Sequence, residues 1–107
     1  MRFRIASRVT VLVVALAAAS PVAAGVMQVD MKGIGFTPAK ISAKVGDIVE
    51  WTNHDFVVHS ATARDNSFDV NVTASKSGRT VIKKAGKIAY YCRYHPNMTA
   101  EIDVVAK

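Results

Sequence analysis

The run from Tyr90 to Met98, Tyr-Tyr-Cys-Arg-Tyr-His-Pro-Asn-Met, constrains this chain more than any other stretch. It holds the one cysteine of the sequence, Cys92, followed by His95 and Met98 with two residues between successive members. A thiolate, an imidazole and a thioether on one short segment form a soft ligand set, which selects copper among the first-row metals. A second histidine would complete a trigonal His2Cys plane with a weak axial Met, the arrangement of a blue-copper electron-transfer centre.

The first 24 residues have the pattern of an export signal rather than of a folded domain. The segment begins with three arginines, Arg2, Arg4 and Arg8. An apolar run follows over Val9–Ala19, and residues 20–24 supply small side chains suited to cleavage after Ala24. The apolar run is shorter than the roughly 20 residues that a membrane-spanning helix needs. We therefore predict a signal peptide over residues 1–24, export to the periplasm, and no stable membrane insertion after cleavage.

Residues 25–107 remain as one small domain, for which a bound metal would be a useful staple. A disulfide is excluded, because Cys92 has no second cysteine to pair with. Without the three arginines of the signal, the domain keeps 11 of the 14 basic residues against 8 acidic ones. Nucleic-acid-binding domains carry a dense basic stripe. The densest group of basic residues in this sequence has only three lysines, Lys83, Lys84 and Lys87. We predict no nucleic-acid binding and a mild preference for acidic protein partners.

Short segments of strand-forming residues alternate with turns rich in Gly, Pro, Asn and Ser. The predicted extended segments are 25–31, 33–38, 41–45, 48–52, 56–63, 68–73, 79–83, 87–92 and 99–105. No helical period of useful length appears in residues 25–107, so we predict an all-β fold, an antiparallel sandwich or barrel. Alternation places Val49 and Trp51 on the inner face of one strand and Ile102 and Val104 on the inner face of another.

Alternation also predicts the direction of the cysteine. If Ile88, Tyr90 and Cys92 share one face, Cys92 points inward at the end of its strand. The chain then turns and returns as the last strand, so we expect His95 and Met98 to lie in a hairpin loop beside Cys92. Three candidate ligands are thus predicted at one pole of the sandwich.

The segment from Tyr90 to Met98, which follows Gly-Lys-Ile, resembles the C-terminal copper loop of the cupredoxins. The resemblance is to the amicyanin and pseudoazurin group, and the short Cys-x2-His-x2-Met spacing favours the amicyanin-like side. Residues 45–53, Val-Gly-Asp-Ile-Val-Glu-Trp-Thr-Asn, resemble the stretch that leads to the first histidine ligand in that family. The resemblance covers residues 27–105. It implies a Greek-key β-sandwich of seven or eight strands with one type 1 copper near a pole, and a periplasmic protein that carries single electrons.

Carried over residue by residue, the resemblance implies Cys92, His95 and Met98 as copper ligands and leaves a choice for the first histidine. His59 lies in an extended apolar run, whereas His54 lies in the polar turn Asn-His-Asp. We favour His59, since a ligand on a packed element is held better than one at a loop tip.

The same resemblance makes Ser60 the residue whose backbone N–H donates to the sulfur of Cys92, a bond of the kind that tunes a reduction potential. The sequence departs from the family pattern at two positions. Val58 stands where a proline often precedes the first histidine, and Ala100 replaces a glycine that is common after the methionine. Neither change removes a ligand, but both leave the loop geometry open.

Each candidate ligand has a simpler explanation when it is taken alone. A buried cysteine is usually inert and a methionine usually fills a core, and an isolated histidine is usually a surface residue. The joint spacing reverses these expectations and favours copper. We interpret His54 as a surface histidine, and Met27 and Met31 as packing residues of the first strand.

Two functions other than electron transfer are open to such a chain. An enzyme with Cys92 as nucleophile is disfavoured, because the sequence shows no orienting third group or oxyanion hole and an exported free thiolate would oxidise. We therefore predict no catalytic residues. A periplasmic copper carrier or storage protein stays open as the alternative, because it would use the same ligands.

The predicted partners are redox proteins, namely a dehydrogenase, a cytochrome or a reductase, that dock transiently on a monomer near His95. The docking surface is predicted to be apolar and to consist of Phe56, Val57, Tyr94 and Pro96. Arg93 and the lysines at positions 83, 84 and 87 are predicted to steer an acidic partner toward it.

Overall fold

The computed structural model describes residues 9–12 and 25–107, and nine strands make up the second of these ranges. The strands are β1 (Val26–Met31), β2 (Phe36–Thr37), β3 (Lys40–Lys44), β4 (Ile48–Asn53), β5 (His59–Ala63), β6 (Asp69–Val72), β7 (Ser77–Val81), β8 (Gly86–Cys92) and β9 (His95–Val105). The predicted all-β fold is confirmed, with nine strands where seven or eight were expected.

The predicted signal peptide lies outside the described residues except for positions 9–12. Across the two described ranges, there is no helix with the length and apolar character needed to cross a membrane.

The nine strands form two sheets, with the orders β2-β1-β4-β7 and β3-β9-β8-β5-β6. Five of the strand pairs are antiparallel, but β1 pairs with β4, and β3 with β9, in parallel. The antiparallel pairing expected for the sandwich is thus found in five strand pairs, and these two pairs differ from it. Alternation reports which face of a strand is buried and carries no information on the direction of its neighbour, so the sequence pattern could not predict the parallel pairs.

The inward faces are those that alternation predicts. Val49 and Trp51 of β4 and Ile102 and Val104 of β9 are all buried. On β8 the buried residues are Ile88, Tyr90 and Cys92, which alternate with more exposed neighbours. The cysteine thus faces the space between the sheets, as the sequence predicts.

An aromatic cluster fills the middle of that space and joins the two sheets. Trp51 Nε1 donates to the hydroxyl oxygen of Tyr90 (3.3 Å), and the two rings meet edge to face with centroids 5.6 Å apart. Phe36 and Phe68 also pack edge to face against the Tyr90 ring. Burial raises the pKa of Tyr90 to about 12, so the hydroxyl stays protonated at neutral pH. Tyr90, at the centre of this cluster, lies two residues before Cys92 on β8.

The sandwich has two poles that differ in their residues. His59 begins β5, Cys92 ends β8 and His95 begins β9, and we call this end the ligand pole. The opposite end, the far pole, contains residues 45–47 and the start of β8. The described domain also begins at the far pole, where Gly25 N donates to Oδ1 of Asp47 (3.0 Å).

Gly78 of β7 lies against side chains of β6, a strand of the other sheet. A Cβ at this position would lie 2.6 Å from Cγ1 of Val70 and 3.2 Å from Cγ2 of Val72, both on β6 of the other sheet. We expect Gly78→Ala to lower the free energy of unfolding by about 1–3 kcal/mol, because the added methyl group forces the sheets apart. Urea denaturation of the metal-free protein measures this loss.

Gly35→Ala is the matched control. A Cβ on Gly35 would meet only the carbonyl oxygen of Lys32, at 3.5 Å. An equal loss of stability in the two variants would show that the contact between β7 and β6 is not the cause.

Candidate metal centre

The chain brings Cys92 and His95 together with a tight turn between β8 and β9. Cys92 and His95 are partners in the ladder, so only Arg93 and Tyr94 form the turn. His95 and Met98 were expected in a longer hairpin loop, but both lie on β9, of which His95 is the first residue. The register shifts between Tyr91 and Cys92, and such irregularities re-aim a side chain at the end of a strand.

Three donor atoms meet at the ligand pole. Sγ of Cys92 lies 3.6 Å from Nδ1 of His95 and 3.8 Å from Nδ1 of His59. The two imidazole rings have centroids 5.0 Å apart and planes inclined by 67°. His59 and Cys92 are fully buried, and His95 is partly buried. The cluster therefore has a closed interior and one ring that reaches the surface.

These separations fit a metal ion with trigonal coordination. With bonds of about 2.3 Å to sulfur and about 2.0 Å to nitrogen, the sulfur lies about 3.7 Å from each nitrogen at the corners of a trigonal plane. The sulfur-to-nitrogen distances of 3.6 and 3.8 Å match this spacing. One thiolate and two imidazoles form the trigonal plane of a blue-copper site, in which a weak thioether is the usual axial ligand. The chemistry of the donors thus fits copper.

Met98, the predicted axial ligand, lies on β9 three residues after His95 and is 1 % exposed. A thioether in this position is shielded from water.

The sulfur of Cys92 also accepts a hydrogen bond from the main chain. Ser60 N donates to Sγ over 3.3 Å, between the neighbouring strands β5 and β8. This contact confirms Ser60 as the predicted donor. A hydrogen bond to a ligating thiolate draws charge away from the sulfur and so tunes the metal.

The outer nitrogen of His59 is held by Asp55, a residue that the sequence analysis did not single out. His59 Nε2 lies 2.7 Å from Oδ2 of Asp55. The bond from His59, followed by backbone donation from Gly33, lowers the pKa of Asp55 to about 2. Asp55 is therefore ionised at neutral pH, and its carboxylate accepts a hydrogen bond from the protonated Nε2 of His59. This tautomer leaves the lone pair of Nδ1 facing the sulfur, as metal binding requires.

Two further groups hold Asp55 in place. Its carboxylate accepts hydrogen bonds from Gly33 N (2.9 Å) and Ile34 N (3.1 Å). The side chain of Asn53 accepts from Asp55 N and donates to the carbonyl oxygen of Val57. These contacts fold residues 54–58 into a fixed bend ahead of His59. The aspartate four residues before the histidine was the sequence signal that could have identified this support.

His54 lies apart from the cluster. Its Nε2 is 2.9 Å from Oδ1 of Asp30, and its side chain is 46 % exposed. Among the described residues, the metal-ligating group that the geometry brings together is His59, Cys92 and His95, with all donor atoms within 4.8 Å of one another. The choice of His59 over His54 agrees with this placement.

Comparison with known proteins gives concordant results. Residues 5–104 match the cupredoxin-like domain family. The methylamine utilization protein MauL of Methylorubrum extorquens is 32 % identical over 93 residues, which cover 83 % of this chain and 82 % of that protein. The Cu(I) form of an amicyanin variant superimposes with a TM-score of 0.69, at 26 % identity over 82 % of this chain and 90 % of amicyanin.

A copper-containing nitrite reductase from Thermus scotoductus also superimposes, with a TM-score of 0.69 and 28 % identity. The match covers 81 % of this chain but only 25 % of that enzyme. The chain therefore corresponds to one part of a larger copper enzyme and to nearly the whole of amicyanin.

We expect Asp55→Ala to weaken copper binding by about 10–100-fold, because the His59 ring loses the group that fixes its tautomer and orientation. Competition against a chelator of known affinity measures the change. Asp30→Ala is the matched control, since it breaks the similar contact with His54 away from the cluster. Comparable losses in both variants would contradict the role given to Asp55.

Proposed function

We propose that this chain, which belongs to the cupredoxin-like family, is a small carrier of single electrons with one type 1 copper held by His59, Cys92, His95 and Met98. The observation that supports this most directly is the pair of sulfur-to-nitrogen distances, 3.6 and 3.8 Å, around the buried thiolate of Cys92. When bound, copper supplies one-electron chemistry between Cu(II) and Cu(I).

The protein side of this function is to keep the ligands in one arrangement for both oxidation states. His59, Cys92 and His95 lie on three strands of one sheet, and β8 is paired on both sides. Asp55 fixes the His59 ring and Ser60 fixes the sulfur. A site built on rigid elements pays little reorganisation when its charge changes, which favours fast electron transfer.

The same features argue against the two other functions. Cys92 is fully buried, so it is closed to the substrate that a nucleophilic thiol would attack. A storage or delivery protein gains from ligands that open to release the ion, whereas these ligands are packed and hydrogen-bonded. Electron transfer is therefore the function that the geometry supports best, with copper carriage as the alternative.

Apolar side chains surround the exposed edge of the ligand pole. Phe56 is 97 % exposed, and Val57 and Tyr94 are about half exposed. Pro96, next to His95, is also exposed. This apolar rim (Phe56, Val57, Tyr94 and Pro96) suits short-lived docking, because redox encounters use small and weakly held interfaces. An electron would enter or leave through the partly buried ring of His95.

The predicted steering by lysines needs correction. Lys83, Lys84 and Lys87 adjoin the start of β8 at the far pole. Counted along β8, Lys87 lies five residues and roughly 17 Å from Cys92, and Lys83 and Lys84, which precede the strand, lie farther away. At this distance, about twice the Debye length at physiological ionic strength, their charge is largely screened at the apolar rim, and Lys84 is paired with Asp65. Of the predicted steering groups, only Arg93 lies at the ligand pole.

The partners that we propose are a dehydrogenase, a cytochrome or a reductase, each bound transiently by a monomer. The name of the Methylorubrum relative connects that protein with methylamine utilization, which supports a dehydrogenase among these classes. The basic and apolar start of the sequence supports export to the periplasm.

The visible and paramagnetic resonance spectra of the protein with one equivalent of Cu(II) test the proposed site. We expect an intense blue band, narrow copper hyperfine splitting and reversible bleaching by a mild reductant. Cys92→Ser should abolish the blue band, and Met98→Gln should keep the copper but lower the reduction potential. A pale spectrum typical of nitrogen and oxygen ligands would exclude the thiolate and favour the carrier function.

Electron self-exchange between the Cu(I) and Cu(II) forms tests the apolar rim without a partner protein. We expect Phe56→Asp to slow self-exchange by about tenfold or more, because like charges would face each other in the encounter. Val81→Asp adds the same charge at an exposed apolar residue near the far pole, and we expect it to have much less effect. Equal slowing in the two variants would place docking elsewhere.

A further inference from the structure

A closed ring of polar contacts holds Arg93, the residue that directly follows the cysteine. Arg93 N donates to Oγ of Ser60 (2.8 Å), which lies 2.9 Å from Oγ1 of Thr62. Thr62 in turn donates to Oδ1 of Asp69 over 2.8 Å. The guanidinium of Arg93 donates to the other oxygen of Asp69. The ring thus begins and ends on Arg93, and we call these four residues the Arg93 clamp.

The direction of each hydrogen bond in the clamp follows from its chemistry. An ionised carboxylate only accepts, so the Thr62 hydroxyl must donate to Asp69. Thr62 has then used its proton, and it accepts from the hydroxyl of Ser60. The Ser60 oxygen keeps a lone pair for Arg93 N. Asp69 therefore sets the direction of the two hydroxyl hydrogen bonds, from Thr62 and from Ser60, and leaves the Ser60 oxygen free to accept from the N–H of Arg93.

The hydrogen bonds of this path matter for stability because they lie in the interior of the protein. Ser60 and Thr62 are buried on β5, where a lost hydrogen bond is costly because water cannot replace it. Ser60 also donates its own N–H to the Cys92 sulfur, so one residue holds both Cys92 and the residue that follows it. Tyr94, the second residue of the turn, is tied to Asn71 on β6 (2.8 Å). The whole turn between Cys92 and His95 is thereby attached to the β5–β6 hairpin.

We propose that Asp69 is a positioning residue for the copper site. By fixing Arg93 through the clamp, it holds the ligands in their arrangement before the metal binds. This inference rests on the proposed function and adds to it a residue that contacts no ligand. The ion pair of Asp69 with Arg93 is exposed, at 52 % and 37 % of the side chains. Such a pair contributes little to stability by itself. Its role is to hold the turn that spaces the thiolate from the second imidazole.

Amide hydrogen exchange in the metal-free protein tests the positioning directly. We expect Asp69→Ala to speed the exchange of the Arg93 N–H by at least tenfold. Thr62→Val should have the same effect, because it breaks the path but leaves the Arg93–Asp69 pair in place. Both variants should also bind copper more weakly, by less than the roughly 10–100-fold that follows loss of a group bonded directly to a ligand, because neither Asp69 nor Thr62 contacts a ligand.

Glu50→Ala is the matched control, since it removes the carboxylate of another exposed arginine pair, with Arg79 on the opposite sheet. If Arg93 exchanges at the same rate in Asp69→Ala as in this control, the clamp does not hold the turn and the proposal is wrong. Faster exchange with unchanged copper affinity would also overturn it.

The two proposals fail in different experiments. Exchange of the Arg93 N–H is measured without metal, so it reports on the clamp whatever the protein carries. If the unsubstituted protein and the Glu50→Ala control both lack the blue spectrum, the proposed function fails independently of the exchange result.

Discussion

The pairing of β5 with β8 is the constraint on which the candidate site depends. Thr62 lies opposite Tyr91 and Ala63 opposite Tyr90, so the beginning of β5 comes beside the end of β8. This register brings His59 within 3.8 Å of the Cys92 sulfur and places the N–H of Ser60 on it. A shift of one residue would turn His59 to the opposite face of the sheet. The positions of the ligands therefore depend on the pairing of the core strands as much as on the loops.

The burial of β5 and its position between two other strands oppose any change of this register. All five residues of β5 are buried, and β5 lies between β8 and β6 in its sheet. Polar groups that enter this interior are matched with partners, since every buried side-chain nitrogen or oxygen in the described part of the chain has a hydrogen bond. A satisfied polar network in a low-dielectric interior favours a single arrangement. Rigidity around the thiolate thus follows from the same contacts that specify the fold.

The sequence predicted the features that depend on local pattern. Alternation gave the inward faces of β4, β8 and β9, and the spacing of Cys92, His95 and Met98 gave the candidate ligands. Of the supports, the family resemblance predicted only the N–H of Ser60. The side-chain supports were not predicted, because their own contacts join distant segments: Asp55 accepts from Gly33 and Ile34 more than twenty residues earlier, and Asp69 reaches Arg93 only in the folded chain. The lysines were misjudged for the same reason, since a cluster in sequence does not reveal the pole at which it lies.

The position of Gly25 has a practical consequence for work with electrodes. Its N–H bonds to Asp47 at the far pole, so a tether placed ahead of residue 25 leaves from the end opposite to His95. Protein immobilised through that end would present the ligand pole to the solution, where a soluble partner could reach it. A graphite or gold surface coated for apolar contact would instead recruit the exposed Phe56. The two attachments would therefore present opposite ends of the same molecule. Contact through Phe56 would give a current from direct electron transfer to the electrode, whereas the tether ahead of residue 25 would give a current that depends on a soluble partner.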